Sequence, residues 1–335
     1  MILVRSRDLL RGYTNIRIEP KGTRVRARVR AKASKMRLAH LHLPNITQFA
    51  RVSNIQETLT TRLLTYKKFA TTSPATTPVP SPDPTIITFT PNPVYTTGRR
   101  DLPPSNTNNR GSGSPETQIQ TELSLPPSLE PIRSILTPAG TYSSSPDAEA
   151  EGTKATTKTA EYHPTLRGGQ TTYHGPGQMV AYTVLDLRRL GLSPRCHIRL
   201  LENSVVDVLA GFGVKGVVTE DPGVWVAGSG AGTGAEKKIT AVGVHLRRNI
   251  SSYGIGFNVT EEPMWFFRQI VACGLEGKET TSLQGQGVNG VSIGDVAEQF
   301  VQAFTKRVNS DFACGQGARG ERIDEMYKIQ ESDLL

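Results

Sequence analysis

The stretch RGGQTTYHGPGQ (residues 167–178) runs straight into MVAYTVLDL (179–187). Four glycines, a proline, an arginine and a histidine fall within those first twelve residues. Glycine lets backbone N–H groups approach a ligand and adopts positive φ at no steric cost. Such a loop can cradle an anion, a carbonyl oxygen or an acyl chain. The apolar run behind it predicts a strand. Two phosphate cradles are excluded. No Gly-Lys-Ser/Thr follows, as a P-loop requires, and the glycine spacing and the strand that follows do not suit a dinucleotide fingerprint.

The chain keeps this punctuated character downstream. VKGVV, GVWVA, KITAVGVHL and GIGFNV are short strand candidates separated by turn residues, with GSGAGTG (228–234) as a hairpin tip. Ser193 and Pro194 predict a helix start, with Leu200, Leu201, Val205, Val208, Leu209 and Phe212 on one face and Gly213 at its end. Thr260 is expected to cap a helix through Trp265, Phe266, Ile270 and Val271 that closes at Cys273-Gly274. A last amphipathic helix carries Ile293, Val296, Ala297, Phe300, Val301, Phe304 and Val308. Upstream, LAHLHL (38–43) alternates as a first strand, a helix is expected over 46–69, and TIITF (85–89) reads as a buried strand. His40 and His42 share a strand face, but no carboxylate or thiol lies near them in sequence, so they read as polar strand positions. The pattern predicts an α/β fold, with one mixed sheet flanked by helices.

Composition divides the chain further. Its 335 residues carry a net charge of +9. Of the 39 Lys and Arg, 11 lie in residues 1–35, and of the 30 Asp and Glu, two do, which leaves 28 of each sign elsewhere. The excess therefore belongs to one segment, which excludes a basic globular nucleic-acid binder. Residues 1–35 are Arg-rich and acid-poor, which fits a mitochondrial transit peptide or, alternatively, a disordered basic arm. Fifteen of the 22 prolines lie between Pro74 and Pro146. They predict a Pro-rich linker at 71–84 and an insertion at 101–160 that buries too little apolar surface to order. A catalytic domain is expected over 36–312, with a polar, loose tail at 313–335. Three widely spaced cysteines fit neither a disulfide framework nor a zinc site. No apolar run approaches the roughly 18 residues of a membrane span.

Several blocks then fall in a recognisable order: NPVYTTGRR (92–100), RGGQTTYHGPGQ, GVWV (223–226), KITAVGVHLRR (238–248), SYGIGFNV (252–259), FRQIVACG (267–274) and TSL (281–283). Together they resemble the octanoyltransferases of lipoate synthesis, the lipoate-protein ligase B family. The resemblance covers roughly 36–312, apart from the linker and insertion. It implies a biotin/lipoate protein ligase-like domain and transfer of an octanoyl group from acyl carrier protein to a lysine of a lipoyl domain. It implies no cofactor and no metal. Two positions depart from the family pattern: Tyr253 where many members have His, and Ala272 where many have Pro.

By the same resemblance, Cys273 is the nucleophile and Lys238 its acid/base partner. Taken alone, Cys273 reads as a small buried residue and Lys238 as a solvent-facing strand lysine. A thiolate suits double displacement because it attacks a thioester and then leaves well, with no need of ATP. At a helix C-terminus the dipole would oppose that thiolate, so a neighbouring cation is required. The resemblance also assigns the acyl pocket to Arg167, Gly168, Gly169, Gln170, Thr171, Thr172, Tyr173 and His174, to Ala241, Val242 and Gly243, and to Gly254, Ile255 and Gly256. Implied partners are octanoyl-acyl carrier protein as donor, and glycine-cleavage H protein and 2-oxo acid dehydrogenase acyltransferase subunits as acceptors, in the mitochondrial matrix. The paired basics Arg99/Arg100, Arg188/Arg189 and Arg247/Arg248 are candidates for docking an acidic carrier. The competing functions are an ATP-dependent lipoate or biotin ligase, a lipoyl amidotransferase and a non-catalytic lipoyl-domain binder.

Overall fold

A computed structural model describes residues 35–72, 80–101, 124–142, 158–227, 235–274, 277–310 and 320–334, with backbone only at Cys273. The basic segment, the tip at 228–234 and much of the linker and insertion lie outside these residues.

The larger sheet begins with β1 (Met36–Thr47), β2 (Thr85–Pro91) and β7 (Gln178–Val184). It continues through β11 (Ile250–Asn258), β10 (Lys237–Arg247), β9 (Val224–Val226) and β8 (Gly216–Val218). In space the order is β13-β1-β2-β7-β11-β10-β9-β8, where β13 is Ile323–Ile329; β12 (Glu279–Thr280) pairs alongside β10. Strands β1, β2 and β13 run parallel, and antiparallel pairing carries the sheet from β2 to β8.

The expectation of one sheet fails. Strands β3 (Val94–Thr97), β4 (Leu136–Thr137), β5 (Ala160–Pro164) and β6 (Thr172–His174) form a second sheet in the order β4-β5-β3-β6. Part of the 101–160 insertion is structural. Its 3₁₀ turn at Glu130–Ile135 and strand β4 are ordered, and Leu125, Leu129 and Ile132 are buried with Tyr95, Tyr173 and Phe266. The polar-tail expectation also fails over β13, whose parallel pairing with β1 makes it the sheet edge.

Helix α1 (Phe49–Thr72) starts three residues later than expected, because Ile46 and Thr47 stay in β1 and Asn92 Oδ1 takes the Phe49 N–H at 2.8 Å. Its apolar stripe covers one face of the sheet, against Phe89, Val180 and Tyr182. The other face holds α2 (Pro194–Gly211) and α4 (Ile293–Asn309). Both are capped, Ser193 taking the Cys196 N–H as expected and Ser292 the Asp295 N–H. The helix expected over 260–274 is broken. Only Met264–Phe267 (α3) is α-helical, and Ala272–Gly274 is a separate 3₁₀ turn. Cys273 therefore does not end a long helix, and the dipole argument against its thiolate lapses.

Candidate functional site

The two central hairpin strands carry almost no side chain where they meet the 167–174 loop. Ala241 pairs with Gly256 and Gly243 with Gly254, and in antiparallel pairing such partners share a face. The result is a bare strip of sheet. Over it lie two side chains from the loop: a Cβ at Gly256 would come within 2.7 Å of His174 Cε1, and one at Gly243 within 3.1 Å of Arg167 Cδ. The space between is a cavity of about 400 Å³, within the range of small-molecule sites.

The loop is pinned at several points. Arg167 donates to Thr96 O at 2.7 Å and Thr96 Oγ1 at 2.9 Å, and the Gly168 N–H to Val244 O at 2.9 Å. Arg167 is buried, so its guanidinium serves the loop's shape and places a fixed positive charge beside the cavity.

Twelve of the fourteen residues assigned to the acyl pocket line this cavity. Thr171 and Tyr173 do not. Side chains alternate along an extended strand, so Thr172 and His174 face the cavity while Tyr173 turns the other way. Tyr173 stacks on Phe266 with ring centroids 4.3 Å apart. Thr171 gives its N–H and hydroxyl to Asp101, at 2.6 and 2.8 Å. Strand alternation was the signal for both.

His174 is held in one tautomer. Thr281 O can only accept, so Asn258 Nδ2 donates to it at 2.9 Å and Asn258 Oδ1 accepts from Gln178 Nε2 at 2.7 Å. Gln178 Oε1 is then the acceptor for His174 Nδ1 at 3.1 Å. The proton sits on Nδ1, and Nε2 keeps its lone pair. Burial, aided by the Arg167 charge, lowers the His174 pKa to about 4, so the ring is neutral at physiological pH.

Lys238 is buried rather than solvent-facing. The cause is a bulge. Lys238 pairs with Trp225 and Thr240 with Val224, so Ile239 and Thr240 together oppose one residue. Without the extra residue, Lys238 would share a face with Thr240 and Val242, and Val242 packs into the α2–α4 core. The bulge turns Lys238 to the cavity. Its Nζ donates to Pro222 O at 3.0 Å and lies 4.6 Å from the centre of the Trp225 ring. Gly274, next in chain to Cys273, lines the same cavity at φ +67°, and a Cβ there would overlap Gln170 Oε1. The turn bearing Cys273 is thus seated directly on the glycine loop.

The structure also places other residues that the sequence had singled out. Tyr253, where the resemblance expects His, adopts φ 60°, a region costly for a bulky residue. It is held by Gln56 Oε1 on its N–H at 2.6 Å, and its ring packs edge-on to Tyr182 at 5.3 Å. Both rings border the cavity. Arg100 lies at the rim, and Arg99 and Arg247 flank His245, whose pKa burial and then these two cations lower. Among the described residues, Arg99, Arg100 and Arg247 form no ion pair, whereas Arg189 is bound to Glu321. His40 and His42 both bond Thr88 Oγ1, at 2.8 and 2.9 Å. Among the described residues no His, Cys, Asp and Glu cluster is placed to hold a metal, and no helix is long and apolar enough to cross a membrane.

Residues 142–305 match a family model described as the lipoyl protein ligase A/B catalytic domain. A Schizosaccharomyces pombe protein named "Probable octanoyltransferase" is 35% identical over 244 residues, spanning 72% of this chain and 83% of that protein. A mitochondrial octanoyl-[acyl-carrier-protein]:protein N-octanoyltransferase of Xenopus tropicalis is 41% identical over 145 residues, 43% of this chain and 57% of that protein. Among solved structures, a bipartite lipoate protein ligase from Thermoplasma acidophilum superposes over 90% of each chain, with 14% identity and a TM-score of 0.48.

Proposed function

The chain belongs to the octanoyltransferase family, and from that premise we propose that it moves an octanoyl group from a carrier-protein thioester to a lipoyl-domain lysine through a thioester on Cys273. The observation that carries this reading is the meeting of Lys238, the glycine loop and the Gly274 turn on one cavity.

The Cys273 thiolate attacks the carrier thioester, and the octanoyl chain lies along the bare strip between Ala241 and Gly256. Glycine-turn N–H groups hold the carbonyl oxygen as it gains charge. The tetrahedral adduct collapses by breaking the carbon–sulfur bond to the carrier, and Lys238 returns the proton that the departing thiol needs. The acceptor amine, deprotonated by Lys238, then attacks the Cys273 thioester. An amide forms and the Cys273 thiolate leaves. The buried ammonium, seated on Pro222 O and Trp225, keeps both proton transfers out of bulk water. His174 Nε2, a fixed acceptor, takes a hydrogen bond from an N–H of the acceptor lysine or of the carrier's pantetheine arm.

Arg100 at the rim, and Arg99 and Arg247 beside His245, none of them in an ion pair among the described residues, form the docking surface for an acidic carrier. The acceptors are glycine-cleavage H protein and 2-oxo acid dehydrogenase acyltransferase subunits. The site of action is the mitochondrial matrix; the Arg-rich residues 1–35 and the mitochondrial Xenopus relative support that placement.

The test is transfer from octanoyl-carrier protein to an unmodified lipoyl domain without ATP. Wild type is expected to modify the domain, and Cys273→Ala to leave it unmodified. An ATP requirement, or full activity in Cys273→Ala, would establish the adenylating ligase instead.

A further inference from the structure

We propose that Glu202 is a positioning residue for Lys238, acting through the single peptide unit that joins Pro222 to Gly223. This rests on Lys238 taking part in the transfer. Glu202 interrupts the apolar stripe of α2, four residues after Ile198 and three before Val205, and it is buried. A carboxylate there costs folding energy unless it is bonded. Its Oε1 accepts the Gly223 N–H at 2.9 Å, and its Oε2 meets Arg199 at 3.0 Å.

The carbonyl of that same peptide accepts Lys238 Nζ at 3.0 Å. A trans peptide points its N–H and C=O in opposite directions within one plane. The unit therefore stands between a carboxylate and an ammonium, each strengthening the other's bond by polarising the amide. Its orientation is fixed from other sides as well. Gly223 has φ +132°, and a Cβ there would come within 2.5 Å of Thr240 O and 3.2 Å of Lys238 Cε. Trp225 Nε1 donates to Asp221 O at 3.2 Å while its ring receives Lys238.

Among the described residues, the charged groups near Lys238 include Glu202 from α2, Asp221 and Arg167 on the same cavity, and Lys278, which lies 5.5 Å from the Trp225 ring centre. Burial raises the Glu202 pKa, against the Gly223 N–H, Arg199 and Lys238. Losing Glu202 removes the carboxylate that holds the Gly223 N–H, so the peptide is held less firmly and the Lys238 ammonium on its carbonyl is less precisely placed, while the glycine strip and the 167–174 loop keep their contacts.

The experiment measures kcat, donor KM and the pH–rate profile of full-length Glu202→Ala and Glu202→Gln with octanoyl-carrier protein, each checked for folding by thermal melting. The glutamine carbonyl can still take the Gly223 N–H. We expect Glu202→Ala to lose at least about tenfold in kcat, with KM within about twofold and one limb of the profile displaced. Glu202→Gln should recover to within about threefold of wild type. If Glu202→Ala does not fold, Glu202→Asp replaces it, drawing the carboxylate back by about 1.5 Å. A folded Ala or Asp variant with wild-type kcat and profile overturns the proposal, as does a folded Gln variant as slow as Ala. Lys238→Met separates the two layers: if it keeps wild-type activity, the role of Lys238 itself has failed.

Discussion

Gly256→Ala tests the bare strip most sharply. The added methyl would stand 2.7 Å from His174 Cε1 and 2.9 Å from Nδ1, closer than packed atoms tolerate. His174 must move, and its 3.1 Å bond to Gln178 goes with it. Overpacking costs about 1–3 kcal/mol, and an abandoned buried hydrogen bond about 1–3 more. A loss near 3 kcal/mol corresponds to a melting-temperature drop of about 6–12 °C for a domain of this size. The control is Gly211→Ala at the end of α2, where the nearest atom is 3.5 Å away; helix propensity should raise stability there by about 0.5–1 kcal/mol. The assay is thermal unfolding of a double-mutant cycle. In a His174→Ala background the clash has no partner, so Gly256→Ala should cost less than about 1 kcal/mol, an interaction energy near 2 kcal/mol. An unchanged cost in that background would refute the packing of His174 over the strip.

Acid should weaken the fold before its carboxylates titrate. Burial lowers the pKa of His40, His174 and His197 to about 4, so the unfolded chain takes up protons near 6.5 that the folded chain refuses. Stability is full above pH 6.5 and falls from there to about pH 4, by up to about 3 kcal/mol per histidine; a melting temperature that stays level from pH 7 to 5 would contradict this. Charge reversal of Arg99, Arg100 and Arg247 together should raise the donor KM about tenfold at low salt, with kcat preserved and the difference shrinking as salt increases. A salt-independent or kcat-only effect would remove those arginines from docking.

The elements around the glycine loop were legible because local signals agreed with the fold: apolar runs, the cap at Ser193, and glycine punctuation. The features that aim the chemistry were not. The Ile239–Thr240 bulge depends on which strand lies beside β10, and the second sheet on long-range pairing that no local period encodes. Strand β13 buries only Ile323, so it lacks the apolar alternation that marks a half-buried strand. Leu125, Leu129 and Ile132 were hidden among prolines, although they help pack Tyr173. Glu202 did leave a trace, as a charge inside an apolar helical stripe, but its partner Gly223 could be found only in space.

Intact mass after incubation with octanoyl-carrier protein alone shows whether Cys273 carries the acyl group between donor and acceptor. Wild type should gain about 126 Da, one octanoyl group, on the peptide containing Cys273, and Cys273→Ala should gain nothing. An adduct that persists in Cys273→Ala, or maps to another residue, would contradict an acyl-enzyme on Cys273.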